Sequence, residues 1–214
     1  TTPMSASSER TAKPLLLDLA TVTALVMALV YFTGWTYAYH YFGHFKLGLL
    51  TLEIPTEYFF VYGFWVFKMW WWLVIPYGLG IVLLAFYEPR LSPRLDWIKT
   101  QRPRLLKQLQ IFAVLLAFLV AWGLASISAG WFYQEQQGKG FTAYPLVRVW
   151  PNPPPPEDAT LKALYEELPS GVYRLLLENK ETLFLFKLPA DGKPARLPIN
   201  ELPLKEVKLL RVLP

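Results

Sequence analysis

Three long apolar stretches dominate the pattern of hydrophobic and polar positions along this chain. They cover residues 15–35, 64–87 and 109–129. Each runs about 20 residues or more, which is enough for a helix to cross a hydrocarbon core of roughly 30 Å. The pattern therefore predicts a helical membrane protein with three transmembrane helices, at residues 13–42, 57–87 and 108–133.

The segments around these helices are shorter and differ in polarity. Residues 1–12 are small and polar and are predicted to form a disordered cytoplasmic N-terminus. Pro14 suits the start of the first helix, and Gly43 suits its end. The apolar connection at residues 43–56 is too short to span, and Thr56 can cap the second helix.

A basic loop at residues 88–107 predicts the orientation. Its cations are opposed only by Glu88 and Asp96, and loops with excess positive charge stay in the cytoplasm. The N-terminus is then cytoplasmic, whereas the 43–56 connection and everything after the third helix are extracytoplasmic. The candidate contacts of this loop with lipid headgroups are Arg90, Arg94, Lys99, Arg102, Arg104 and Lys107.

Aromatic residues give a second, independent indication of the same topology. Tryptophan concentrates at membrane–water interfaces, and a lysine near a helix end can extend its side chain to the headgroups. Asp18 and Lys68 are the ionisable residues of the apolar stretches, and both are interpreted as interfacial. The candidate interfacial anchors at the outer ends of the helices are Trp35, Lys68, Trp70, Trp71, Trp72 and Trp131.

The third helix carries a packing pattern of small side chains. Alanine recurs every four residues, which allows another helix backbone to approach closely. The partner is either another helix of this chain or a helix of a second subunit. The candidate helix-packing interface consists of Ala113, Ala117, Ala121, Ala125 and Ala129.

The remaining residues predict a small extracytoplasmic α+β domain at residues 157–214, after a linker. The linker, residues 134–156, contains an extended segment and a run of prolines that forms a polyproline II spacer. Residues 157–168 have the apolar spacing of an amphipathic helix. A sheet of about four strands is expected at residues 172–177, 182–188, 196–199 and 207–212.

Composition limits the partners and metal sites that this chain can have. The chain is 54% hydrophobic and 17% charged, and the basic loop carries much of its net charge of +5, so we expect no nucleic-acid partner. It has no cysteine, which excludes disulfides and thiolate sites. His40 and His44 stand four residues apart and are weak candidates for a metal site, to which Glu53 or Glu57 could add a carboxylate.

No nucleophile–base pair, phosphate-binding loop or carboxylate-rich site is visible, so we expect neither an enzyme nor a cofactor. The partners expected are the lipid bilayer and other membrane subunits or copies of the chain itself. The main hypothesis is an accessory or structural subunit, or an assembly factor, of a membrane complex. The first alternative is a homo-oligomeric membrane sensor or effector that opens or disrupts the membrane in defence or stress. A transporter component ranks below both.

Two runs, at residues 34–42 and 171–177, resemble segments of bacterial membrane proteins in general. This resemblance implies no particular function. With the predicted topology, it places the chain in the bacterial inner membrane.

Overall fold

The computed structural model describes residues 13–73, 76, 103–152, 158–189 and 197–213. The chain divides into two compact units. Residues 1–37 and 57–125 form what we call the helical unit, and residues 38–56 and 126–214 form the sheet unit.

Long apolar runs without internal proline or glycine clusters form the principal helices. A short 3₁₀ turn, Leu49–Leu52, lies between the first two of them. The helices are α1 (Lys13–Gly43), α2 (Thr56–Met69) and α3 (Pro103–Gly138).

Two stretches of these helices are long and apolar enough to cross a membrane, namely Ala20–Gly43 in α1 and Ile111–Gly138 in α3. Only 28% and 17% of their most apolar windows are buried, so most of their apolar surface faces outward. Such exposure is typical of helices that meet lipid or partner helices rather than a water-soluble core.

A third span at residues 57–87 is not confirmed. The first helical segment there, α2, ends at Met69, and Trp70 forms a turn before the helical residues 71–73. The Trp70 amide still donates to the Val66 carbonyl at 3.1 Å. Apart from Pro76, residues 74–102 lie outside the described residues, and most of the predicted basic loop lies there too.

The sheet has five antiparallel strands, one more than the sequence predicts. Their spatial order is β4-β3-β2-β1-β5, so the first and last strands in sequence are neighbours. The strands are β1 (Leu146–Pro151), β2 (Tyr173–Glu178), β3 (Thr182–Lys187), β4 (Ile199–Pro203) and β5 (Val207–Val212).

The extra strand is β1, which sequence analysis placed in the linker as an extended segment. It pairs with β2 on one side and with β5 on the other. Two further boundaries differ: α3 continues to Gly138, into the predicted linker, and β4 begins at Ile199, where the predicted strand ends. The proline run at residues 153–156 lies outside the described residues.

One face of the sheet forms the core of this unit with α4 (Ala159–Glu167). Asp158 caps this helix, since its side chain accepts from the Thr160 and Leu161 amides at 2.8 and 3.1 Å. Leu164 and Tyr165 of α4 are packed against the buried side chains Val147, Val149, Leu168, Tyr173, Leu183, Leu185 and Leu202.

Candidate functional site

Two glycines bring α1 and α2 into close contact within the helical unit. A Cβ atom at Gly34 of α1 would lie 1.6 Å from the Phe59 carbonyl oxygen, and one at Gly63 of α2 would lie 2.2 Å from the Val30 carbonyl oxygen. The backbones of α1 and α2 are therefore in direct contact, and only glycine fits at either position.

Aromatic rings flank this contact. The Tyr31 ring of α1 lies edge-on to Phe59 of α2, with the centroids 5.6 Å apart. The Tyr37 ring contacts Tyr62 and Trp65 at 5.6 and 5.5 Å. Sequence analysis did not single out this pairing, although Gly34 and Gly63 each stand within aromatic runs and could have been noticed as small residues there.

The five alanines of the predicted packing interface on α3 differ in how far they are buried. Ala121, Ala125 and Ala129 are buried by the chain itself, whereas Ala113 is exposed and Ala117 is half-buried. Three of the five alanines are thus used in packing within the chain.

The opposite face of α3 within the helical unit is open. Gly123 is two residues, or about 200° around the helix, from both Ala121 and Ala125. A Cβ atom at Gly123 would meet nothing within 4 Å. Leu116 and Leu119, on the same face, are 46% and 62% exposed. This apolar surface therefore has a depression at Gly123, where no side chain projects.

The two histidines lie on either side of the end of α1, which stops at Gly43. The His44 ring stacks on Tyr133, with the centroids 4.4 Å apart and the planes 17° from parallel. Partial burial lowers the pKa of His44, and the nearby His40 lowers it further. Within the described ranges, no group of three or more His, Asp or Glu side chains could hold a metal ion.

The predicted headgroup contacts fall mostly outside the described residues. This applies to Arg90, Arg94, Lys99 and Arg102, whereas Arg104 and Lys107 lie in the first turns of α3.

The predicted interfacial anchors all lie on helices or helical turns. Among the six, Trp70 is half-buried and its ring lies 5.9 Å from that of Trp72. The exposed ones are Trp35, Lys68, Trp71, Trp72 and Trp131.

A cluster of aromatic rings covers part of the second face of the sheet. Phe186 of β3 is fully buried there, and its ring lies 5.5, 5.6 and 6.0 Å from those of Phe141, Tyr144 and Phe45. The Tyr41 and Tyr144 hydroxyls are hydrogen-bonded to each other. Such a cluster binds the segment after α1 to the sheet through area and ring geometry rather than through charge.

Carboxylates near α4 serve to hold the sheet unit together. Glu167 pairs with Lys187 and accepts from the Tyr173 hydroxyl at 2.9 Å, and these bonds lower the pKa of Glu167. The Tyr165 hydroxyl donates to Glu206 at 2.8 Å, which raises the pKa of Tyr165. The carboxylates of Glu167 and Glu206 are thus engaged in hydrogen bonds that link α4 to the strands and turns of the sheet unit.

Comparisons of the chain with protein family models, with curated proteins and with solved structures found no match. The features that bear on function are therefore those of the chain itself: outward-facing apolar helices, one open glycine face and a sheet unit bound together by its acids and rings.

Proposed function

We propose that this chain is a non-catalytic membrane protein that serves as an accessory or structural subunit, or an assembly factor, of a larger membrane complex. The observation that carries the proposal is the outward-facing apolar surface of the two helices with the length of a membrane span. Helices with so little of their surface buried in the chain need lipid or partner helices around them.

The open face of α3 supports a partner helix in particular. The glycine that follows the exposed Leu116 and Leu119 on this face gives a point where another backbone can approach without meeting a side chain. The buried alanines on the other face already pack within the chain, so the open face is the one available to a second subunit.

The proposed setting is the bacterial inner membrane, with the N-terminus in the cytoplasm and the sheet unit outside it. The positive charge of the predicted loop and the tryptophans at the other helix ends support this orientation. A reporter that is active only outside the cytoplasm, fused after Pro214, should be active, whereas a reporter signal confined to the cytoplasm would overturn the orientation.

The proposal is tested by purification in mild detergent at native expression level, followed by native mass spectrometry. Other proteins in fixed stoichiometry are expected. Gly123→Leu should remove them, because the added side chain fills the approach point on α3. Gly138→Leu, which makes the same change at an exposed glycine about 22 Å further along α3, is the control and should retain them.

Recovery of both the wild-type chain and the control variant without other proteins would contradict the subunit proposal. If the chain forms a homo-oligomer, the sensor or effector alternative gains support, and ion leakage from liposomes becomes the next measurement.

A further inference from the structure

Two arginines lie directly opposite each other at one edge of the sheet. The register of β1 and β5 pairs Arg148 with Arg211, and both side chains are exposed. The Leu213 amide donates to the Leu146 carbonyl at 2.8 Å. Because hydrogen-bonded pairs alternate along an antiparallel ladder, Arg148 and Arg211 are also such a pair, with their Cα atoms about 5.5 Å apart.

Like charges at directly opposed positions destabilise a sheet. No acidic residue lies in β1 or β5, whose sequences are LVRVWP and VKLLRV. Among the described residues, the ion pairs found in the sheet unit involve neither Arg148 nor Arg211. The Arg148 side chain lies next to Gly171, since a Cβ atom at Gly171 would be 3.1 Å from its Nε. The pair is thus a site of positive charge without a counter-ion from its own strands.

The same face continues with apolar side chains. Trp150 is paired with Leu209, which is 55% exposed. Alternation along β1 places Trp150 on the face of Arg148, whereas Val147 and Val149 point into the core on the other face. The ring cluster around Phe186 covers this face over β3. Over β1 and β5 the face carries the exposed Arg148, Arg211 and Leu209 beside the half-buried Trp150.

A further cation stands at the margin of this surface. Arg174 of β2 is the partner of Leu146, so it is a diagonal neighbour of Arg148. Its Nη1 donates to the Tyr144 carbonyl at 2.6 Å, which holds the side chain at the boundary between the ring cluster and the open face.

Arginines beside a half-buried tryptophan and an exposed leucine form a combination that binds the surface of an anionic bilayer. The cations attract phosphate groups, while the apolar side chains enter the interfacial region. Residues 139–145 alone separate α3 from β1, a reach of roughly 25 Å when fully extended. The strand therefore begins close to the end of a helix with the length and apolarity of a membrane span.

We propose that the β1–β5 face, formed by Arg148, Arg211, Trp150 and Leu209, docks on the headgroups of anionic phospholipids. This inference rests on the membrane location in the proposed function but not on the identity of any partner subunit. Its occupant is the lipid surface itself, bound through phosphate groups by the arginine pair.

The test uses the full chain in lipid nanodiscs, with a single spin label at Leu209→Cys. The chain has no cysteine of its own, so no other position is labelled. The label's collisions with a water-soluble nickel reagent and with oxygen are compared between phosphatidylcholine discs and discs that also contain phosphatidylglycerol. In the anionic discs the label should be shielded from nickel and accessible to oxygen.

The variant Arg148→Gln/Arg211→Gln should lose this shielding, since each arginine near an anionic surface contributes roughly fivefold to binding. With two arginines removed, we expect the equilibrium constant for docking to fall by about 25-fold. Lys162→Gln/Lys180→Gln removes the same charge from exposed positions outside this face and should leave the shielding unchanged.

Three results would overturn the inference. Equal nickel access in both lipid compositions would show that the face does not dock. Shielding in phosphatidylcholine discs on addition of inorganic phosphate would show an anion site rather than a lipid surface. An equal loss of shielding in the double-lysine and double-arginine variants would show an effect of net charge alone. Loss of partner proteins from the complex, by contrast, bears only on the proposed function.

Discussion

Replacing Gly63 by alanine should destabilise the helical unit, although alanine is the better helix former. The new Cβ would lie 2.2 Å from the Val30 carbonyl oxygen, whereas an ordinary carbon–oxygen contact is about 3.3 Å. The helices must therefore separate locally by roughly 1 Å, which forfeits part of the dispersion energy of every contact along the seam, including Tyr31 on Phe59.

The magnitude follows from two opposing effects. Overpacking costs about 1–3 kcal/mol, and the upper value applies because the obstacle is backbone that cannot rotate away. Alanine in place of glycine returns about 1 kcal/mol of helix propensity. The expected net loss for Gly63→Ala is about 2 kcal/mol. Gly34→Ala should cost more, since its Cβ would lie 1.6 Å from the Phe59 oxygen.

The assay is a titration of the purified full chain in mixed micelles with SDS, in which tryptophan fluorescence reports the fraction unfolded. Gly123→Ala is the matched control, because it makes the same change in a helix where a Cβ meets nothing within 4 Å. The control should unfold at the wild-type SDS fraction or slightly above it. If Gly63→Ala and Gly34→Ala behave like this control, the direct backbone contact of α1 and α2 is refuted.

Three further substitutions test other parts of the chain by the same unfolding assay. Asp158→Ala removes the cap of α4 and should cost about 1 kcal/mol; equal stability would show that the cap does not matter. The lowered pKa of Glu167 means that its bonds contribute stability above the ordinary glutamate pKa and lose it as the pH falls through the lowered pKa. Glu167→Gln should therefore be less stable than the wild type at pH 7, with the difference shrinking in acid; a constant difference would contradict this linkage. Thr36→Val should be neutral or stabilising, since the buried Thr36 Oγ1 makes no hydrogen bond with the described residues. Thr33→Val is its control and should destabilise, because the Thr33 hydroxyl donates to the Leu29 carbonyl at 2.6 Å.

Periodicity predicted the elements whose signal lies within one segment. The apolar runs of α1 and α3 are visible from composition alone, and the amphipathic spacing of residues 157–168 corresponds to α4. The β2–β3 hairpin also follows from its own residues, since the Asn179 side chain accepts from the Glu181 and Thr182 amides in the turn.

Features that depend on a distant segment could not be predicted in the same way. Strand β1 ends at Pro151 beside a proline run and has no hairpin partner next to it, because its neighbours β2 and β5 come later in the chain. Strand β4 contains Pro203, which an edge strand tolerates but a sequence pattern counts against.

The glycine contact is the clearest case among the candidate site residues. The regular alanines of α3 are more conspicuous than two isolated glycines, yet the backbone contacts that leave no room for a Cβ atom occur at Gly34 and Gly63. Which small residues meet depends on how two helices are rotated against each other, and no single helix encodes that rotation. The break at Trp70 likewise lacks a proline or glycine that would mark it.

The order of strands in the sheet also determines when the sheet unit can be completed during synthesis. The β2–β3–β4 segment is a meander of local pairings that can form as soon as it is made. Strand β1, although earlier in the chain, must wait for β5 to cover its other edge. Until then β1 presents one unpaired edge with apolar side chains, a template for wrong pairing. Strand β5, the latest of the five in sequence, is therefore the one that removes this hazard.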